Sequence, residues 1–152
     1  MRRKDRETEE ERAREILALE NWGVLSVEGD DGFPYGVPVN YAFVEGKIYI
    51  HATNCESHKS DAIRRNEKVC FTVVSRHEIE KEKLTTHYAS AVVFGTARII
   101  EEETGKIEAI KKMMSRLAPD MAQKVDEHCK NSIERVIMIE ITPLHITGKE
   151  RR

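Results

Sequence analysis

The sequence predicts a mainly β fold, a small antiparallel barrel with flanking helices. Three observations carry this prediction. Apolar stretches with period-two alternation recur along the chain. Tight-turn signals, Gly29-Asp30-Asp31-Gly32 and Glu45-Gly46-Lys47, separate them. Long helical periodicity is confined to the N-terminus and to the segment after Ile100. About six antiparallel strands suggest a barrel, because closure removes exposed sheet edges.

Each element has its own signal. Thr8-Glu9-Glu10-Glu11 reads as a capping box, Thr8 accepting from the Glu11 backbone and Glu11 reaching back. Ala13, Ile16, Leu17 and Glu20 follow helical spacing, which predicts an amphipathic helix to about Asn21, stopped by Gly23. Val24-Leu25-Ser26-Val27 is strand-like. Tyr35, Val37, Val39, Tyr41 and Phe43 alternate with smaller or polar residues, as in a strand with one buried face. Lys47 to Ala52 returns as a third strand and completes a meander. Ser57 is placed to cap a short helix that carries Ala62 and Ile63 and ends near Asn66. Val69 to Val74 is nearly continuously apolar, which predicts a strand buried on both faces. His77 to Lys83 is polar and reads as an exposed loop. Tyr88 to Ile100 reads as a long strand with a bulge or bend at Gly95. Glu103 to Leu117 is helical, with Ile107, Ile110, Met113, Met114 and Leu117 on one face, and Pro119 starts a second helical piece. Val136 to Ile141 is the last predicted strand, before a charged, loose tail from Lys149 to Arg152.

Composition narrows the function classes. The 152 residues fit one domain, spanning 1–152. With 25 basic and 27 acidic residues the formal net charge is -2, which gives no support for a nucleic-acid partner. No apolar run approaches the ~20 residues of a membrane helix, so no membrane partner is expected. The basic start, Arg2 to Arg6, is followed by Glu-rich sequence rather than the apolar segment of a secretory signal. Three widely spaced cysteines, Cys55, Cys70 and Cys129, suit a reducing cytoplasm better than a disulfide framework.

Three segments could carry chemistry. Thr53-Asn54-Cys55-Glu56-Ser57-His58-Lys59 leaves a strand and enters a helix. Free N–H groups at a helix start attract anions, and hydroxyl, imidazole and ammonium groups lie close by, so the segment can hold a phosphate. Its plain alternative is a helix cap with two solvated basic side chains. Val37-Pro38-Val39-Asn40-Tyr41 places a proline in a good strand, which marks an edge. Such an edge can hydrogen-bond a flat heterocycle or simply be an edge. Thr85-Thr86-His87-Tyr88-Ala89-Ser90 is hydroxyl-rich and precedes a buried strand. His51 ends an apolar strand and is either structural or an acid–base group. A metal at His51, Cys55 and His58 is not expected, since the spacing fits no regular zinc pattern. Met113, Met114 and Met121 read as core packing.

Together these features resemble the 5-nitroimidazole-resistance (Nim) group of the pyridoxamine 5'-phosphate oxidase-like flavoproteins. The matching segments are Gly32 to Tyr41, Ile48-Tyr49-Ile50-His51, His58-Lys59, Val69 to Val74, Thr85 to Gly95 and Ile146-Thr147-Gly148-Lys149. The resemblance implies an antiparallel split β-barrel, a homodimer, and FMN, or in some members FAD, between subunits. It implies a phosphate loop at Thr53-Asn54 and Ser57-His58-Lys59, with His58 where the oxidases carry Arg. It implies that Pro38, Val39, Asn40 and Tyr41 lie along the isoalloxazine. Ile50, His51 and Ala52 fall at the same strand end, with His51 as the catalytic candidate. Thr86, Tyr88 and Ser90 would reach the flavin from a partner subunit. The oxidases' C-terminal substrate-binding Trp and Arg are not recognisable, which argues against true pyridoxamine phosphate oxidation. The expectation is an FMN-dependent oxidoreductase acting on a small acceptor such as a nitroaromatic. The alternatives are a non-catalytic flavin store or sensor, and a cofactor-free scaffold.

Overall fold

The structure is a computed structural model that describes residues 4–53 and 57–151. Asn54, Cys55 and Glu56 of the expected phosphate loop lie outside these. One antiparallel sheet runs in the order β3-β2-β6-β7-β8-β5-β4, and a short β1 pairs with β8. The strands are β1 (Glu7–Thr8), β2 (Trp22–Glu28), β3 (Pro34–Asn40), β4 (Ala42–Val44), β5 (Lys47–Thr53), β6 (Lys68–Glu80), β7 (Thr85–Ile100) and β8 (Val136–Arg151). The helices are α1 (Glu10–Leu19), α2 (His58–Arg65), α3 (Glu103–Leu117) and α4 (Ala122–Ser132). The sheet curls until β3 lies against β5, but among the described residues hydrogen bonds do not close it. This is the expected mainly antiparallel, split-barrel architecture with flanking helices.

Parity along the strands explains the packing. In β8, Ile137, Ile139 and Ile141 face the barrel core, while Val136 and Met138 face a second apolar cluster under α3 and α4. Both faces are covered, which is why Val136 to Ile139 is a continuous apolar run; the buried Glu140 that follows is paired with Lys47 and Arg98. In β5, Ile48, Ile50 and Ala52 enter the barrel core, and Tyr49 enters the helical cluster. His51, two residues on from Tyr49, is therefore on the helical side.

Several local expectations are corrected. Thr8 is no helix cap: it pairs with Gly148 in the sheet, and the helix starts after Glu9 without a side-chain cap. Gly23 does not stop α1, which ends at Leu19; it sits inside β2, where a Cβ would lie 2.7 Å from the Phe71 ring. The strand predicted through Phe43 breaks after Asn40. β6 is not buried on both faces: Val69, Phe71 and Val73 are buried and alternate with Cys70, Thr72 and Val74. His77 to Glu80 is strand rather than loop, paired with Thr85 to Tyr88 as a ribbon that runs beyond the core. The C-terminal segment is likewise strand, Lys149 pairing with both Ser90 and Glu7. Both segments are half-exposed or exposed, so no apolar periodicity marks them. The Gly95 irregularity is present, as a register shift between Phe94 and Gly95 where a Cβ would meet the Thr142 carbonyl at 2.5 Å.

Candidate functional site

A cavity of about 580 Å3 opens between the sheet and the α3–α4 pair. The strand side contributes Val37, Pro38, Val39 and Asn40 from β3 and His51 from β5, and α2 contributes Lys59. Two discontinuous parts of the sequence meet here because the curl of the sheet brings edge strand β3 against β5. Pro38 is tolerated at this edge, where its missing N–H breaks no ladder on the open side. The volume is that of a small-molecule or cofactor site.

Ser57 caps α2 by accepting a hydrogen bond from the Ser60 N–H at 3.4 Å, and its Oγ lies 2.9 Å from Ser60 Oγ. This cap fixes the helix start, and with it the first turn from which Lys59 reaches the cavity wall. His51 opens to solvent through the cavity, yet protein surrounds much of its ring. That partial burial pushes its imidazole below the ordinary value, and the charge of His128 across the cavity pushes the same way.

The other expected site residues lie elsewhere. Tyr41 is fully buried, donates its hydroxyl to the Leu17 carbonyl at 2.8 Å, and packs edge-on against Phe71. Its backbone N–H goes to the Asn21 carbonyl. Ile50 and Ala52 belong to the barrel core, one parity step from His51. Thr53 is exposed at the end of β5. His58 turns away from the cavity, its Nε2 3.0 Å from Asp30 and its ring 5.2 Å from that of Tyr35. Thr86, Tyr88 and Ser90 are half-buried on β7 and do not line the cavity.

The helical wall escaped the sequence reading. It consists of Ile110, Met113 and Met114 from α3, Ala118 and Met121 from the connection, and Lys124, Val125 and His128 from α4. The available signal was methionine, since three of the chain's five cluster here. Flexible, polarizable thioethers suit both a core and an adaptable binding wall, and Met113 serves as both. Among the described residues, no group of three or more His, Cys, Asp or Glu is gathered as a metal site. No helix among them is long and apolar enough to cross a membrane.

Comparison with known proteins decides the family. The family described as pyridoxamine 5'-phosphate oxidase matches residues 9–150. The chain belongs to this family. A solved structure of a candidate 5-nitroimidazole antibiotic resistance protein from Bacteroides thetaiotaomicron has a similar fold. That structure is 21% identical, covers 93% of this chain and 83% of its own, and superposes with a TM-score of 0.75. An FAD-binding protein from Mesorhizobium loti is 21% identical over 97% of this chain and 98% of its own, with a TM-score of 0.66. An FAD and heme binding protein from Mycobacterium smegmatis is 16% identical over 95% and 72%, with a TM-score of 0.81. At these identities the likeness establishes the fold. No curated protein matches the sequence.

Proposed function

We propose that this chain binds FMN in the cavity between β3, β5 and α3–α4 and acts as a flavin-dependent oxidoreductase on a small acceptor such as a nitroaromatic. One observation carries the reading. Pro38, Val39, Asn40, His51 and Lys59, singled out from separate sequence segments, converge on one cavity of cofactor size. The donor set fits a flavin phosphate: Lys59 offers an ammonium beside the capped start of α2. The apolar walls, Val37, Val39, Ile110 and Met113, fit a flat ring system. FAD, which carries the same flavin and a phosphate at the same position, is the alternative cofactor.

The bound flavin supplies hydride and electron transfer. The chain's part is to hold it, exclude water from one face, and offer a proton. His51, biased toward its neutral form, carries a proton only in a small fraction of molecules, but its imidazolium is a stronger acid than an ordinary histidine's and gives that proton readily to an acceptor in the cavity. The relatives described as FAD-binding support the flavin reading by family.

The active form in this reading is a homodimer. Trp22, Val74 and Phe94 are exposed apolar side chains on the outer face of β2, β6 and β7. Tyr88 and Ser90 share that face by parity, so a second copy docked there would bring them toward its partner's flavin. The setting is cytoplasmic, in keeping with the free thiols Cys70 and Cys129.

A haem site is the second reading, favoured because His51 and His128 share the cavity with Met113, Met114 and Met121, all haem-ligating types. The absorption spectrum and mass of the ligand released from purified protein separate these. Yellow FMN supports the proposal, a Soret band supports haem, and colourless protein with no thermal shift on adding FMN contradicts it. Turnover of a nitro compound by reduced holoprotein then distinguishes an enzyme from a flavin store or sensor.

A further inference from the structure

The charge of the cavity is one-sided. Among the described residues its lining includes Lys59, Lys124, His51 and His128, and no Asp or Glu. The chain as a whole has more acidic than basic residues, so this is not a sampling of its average surface. Among the described residues neither Lys59 nor Lys124 forms an ion pair, whereas several other helical charges do: Lys111 pairs with Asp126, Lys112 with Glu45 and Arg64 with Glu101.

The two lysines also come from different elements. Lys59 is in the first turn of α2, which packs on β2 and β7. Lys124 and His128 are one helical turn apart on α4, which packs on α3. One phosphate monoester at the α2 start occupies the first cation and leaves the second pair unmatched. The same helical wall carries Met114, Met121 and Val125, an apolar and adaptable surface. Thioether sulfur favours contact with aromatic rings.

We propose that the α4 side of the cavity is a subsite for a second ligand, a small aromatic carboxylate, whose anionic group is held by Lys124 and His128 and whose ring packs on Met114 and Met121. This rests on the flavin reading for the identity of the first ligand. The anion preference itself needs only the cavity. Lys124 is thus a specificity-determining residue: it selects an anionic second ligand over a neutral isostere.

The test compares 4-nitrobenzoate with its neutral counterpart 4-nitrobenzamide. Binding is read by flavin fluorescence in FMN-loaded protein. It is read in parallel by the His128 imidazole NMR signal in flavin-free protein carrying Lys59→Ala, which removes the competing cation. Lys124 is exposed, so its replacement leaves the fold intact. The expected wild-type preference for the carboxylate is about fivefold, the size of one partly exposed ion pair. It falls to about one in Lys124→Ala and inverts in Lys124→Glu, while FMN affinity stays within about twofold. A preference unchanged by either substitution, no preference in the parent protein, or no binding of either probe overturns the proposal. So does a large loss of FMN affinity in Lys124→Ala, which would assign Lys124 to the flavin. Protein that takes up no FMN defeats the flavin reading alone, because the NMR arm still decides the anion subsite.

Discussion

The cavity has two walls, and they hold their side chains by different rules. On the β5 part of the strand wall, direction is set by parity. Ile50 and Ala52 enter the barrel core while His51 between them faces the helices, because successive strand residues alternate. On the helical wall, direction depends on how α4 docks on α3 after the Pro119 turn, a tertiary fact that no local pattern fixes. The strand wall is shared in part with the core, since Val37 and Val39 pack against the barrel cluster. The helical wall is built of methionines and exposed basic residues, and it is the adjustable half of the site.

Substitutions can break this contrast, beginning with the largest effect. Phe71→Ala removes a fully buried ring that packs on Tyr41 and against Gly23. It is expected to cost about 3–5 kcal/mol by denaturant unfolding. Met114→Ala, on the helical wall, is only partly buried and is expected to cost about 1–2 kcal/mol, below the range for a core methionine. Its larger signature is weaker ligand binding. If Met114→Ala destabilises as much as Phe71→Ala, the helical wall is core and the contrast fails.

Tyr41→Phe is smaller again. It leaves the Leu17 carbonyl without its 2.8 Å donor and is expected to cost about 1 kcal/mol, with ligand affinity unchanged. A change in affinity would return Tyr41 to the site. The smallest effect is on protonation. The folded state depresses the His51 imidazole, so it holds fewer protons there than the unfolded chain, whose histidine titrates near 6.5. The stability this contributes is present above about pH 6.5 and is lost as pH falls through the folded value. NMR titration should place His51 below an ordinary histidine, and His128→Ala should move it up; no movement would remove the coupling across the cavity.

These two walls also explain what could be read from the sequence. The alternation from Tyr35 to Val39, the run from Val136 to Ile141 and the Ser57 cap each follow from local chemistry, and each is found. The β6–β7 ribbon from His77 and the C-terminal half of β8 were not legible, because strands that leave the core keep their backbone pairing but lose their apolar face. At the site, Pro38, Asn40, His51 and Lys59 were legible as strand-edge and helix-start chemistry. Tyr41 was misleading, since alternation cannot tell a residue facing the core from one facing a cavity. Lys124 and His128 were invisible: on an isolated helix, an exposed lysine beside a cavity looks like any solvated charge.

The most direct test is the FMN affinity of the parent protein and of Lys59→Ala. Lys59 lines the cavity at the α2 start and would make a charge-assisted hydrogen bond to phosphate. The account predicts that the parent protein binds FMN and that Kd rises about 10- to 100-fold in Lys59→Ala, with the unfolding midpoint unchanged. FMN binding of equal strength in both proteins would contradict it, because the phosphate would then lie elsewhere.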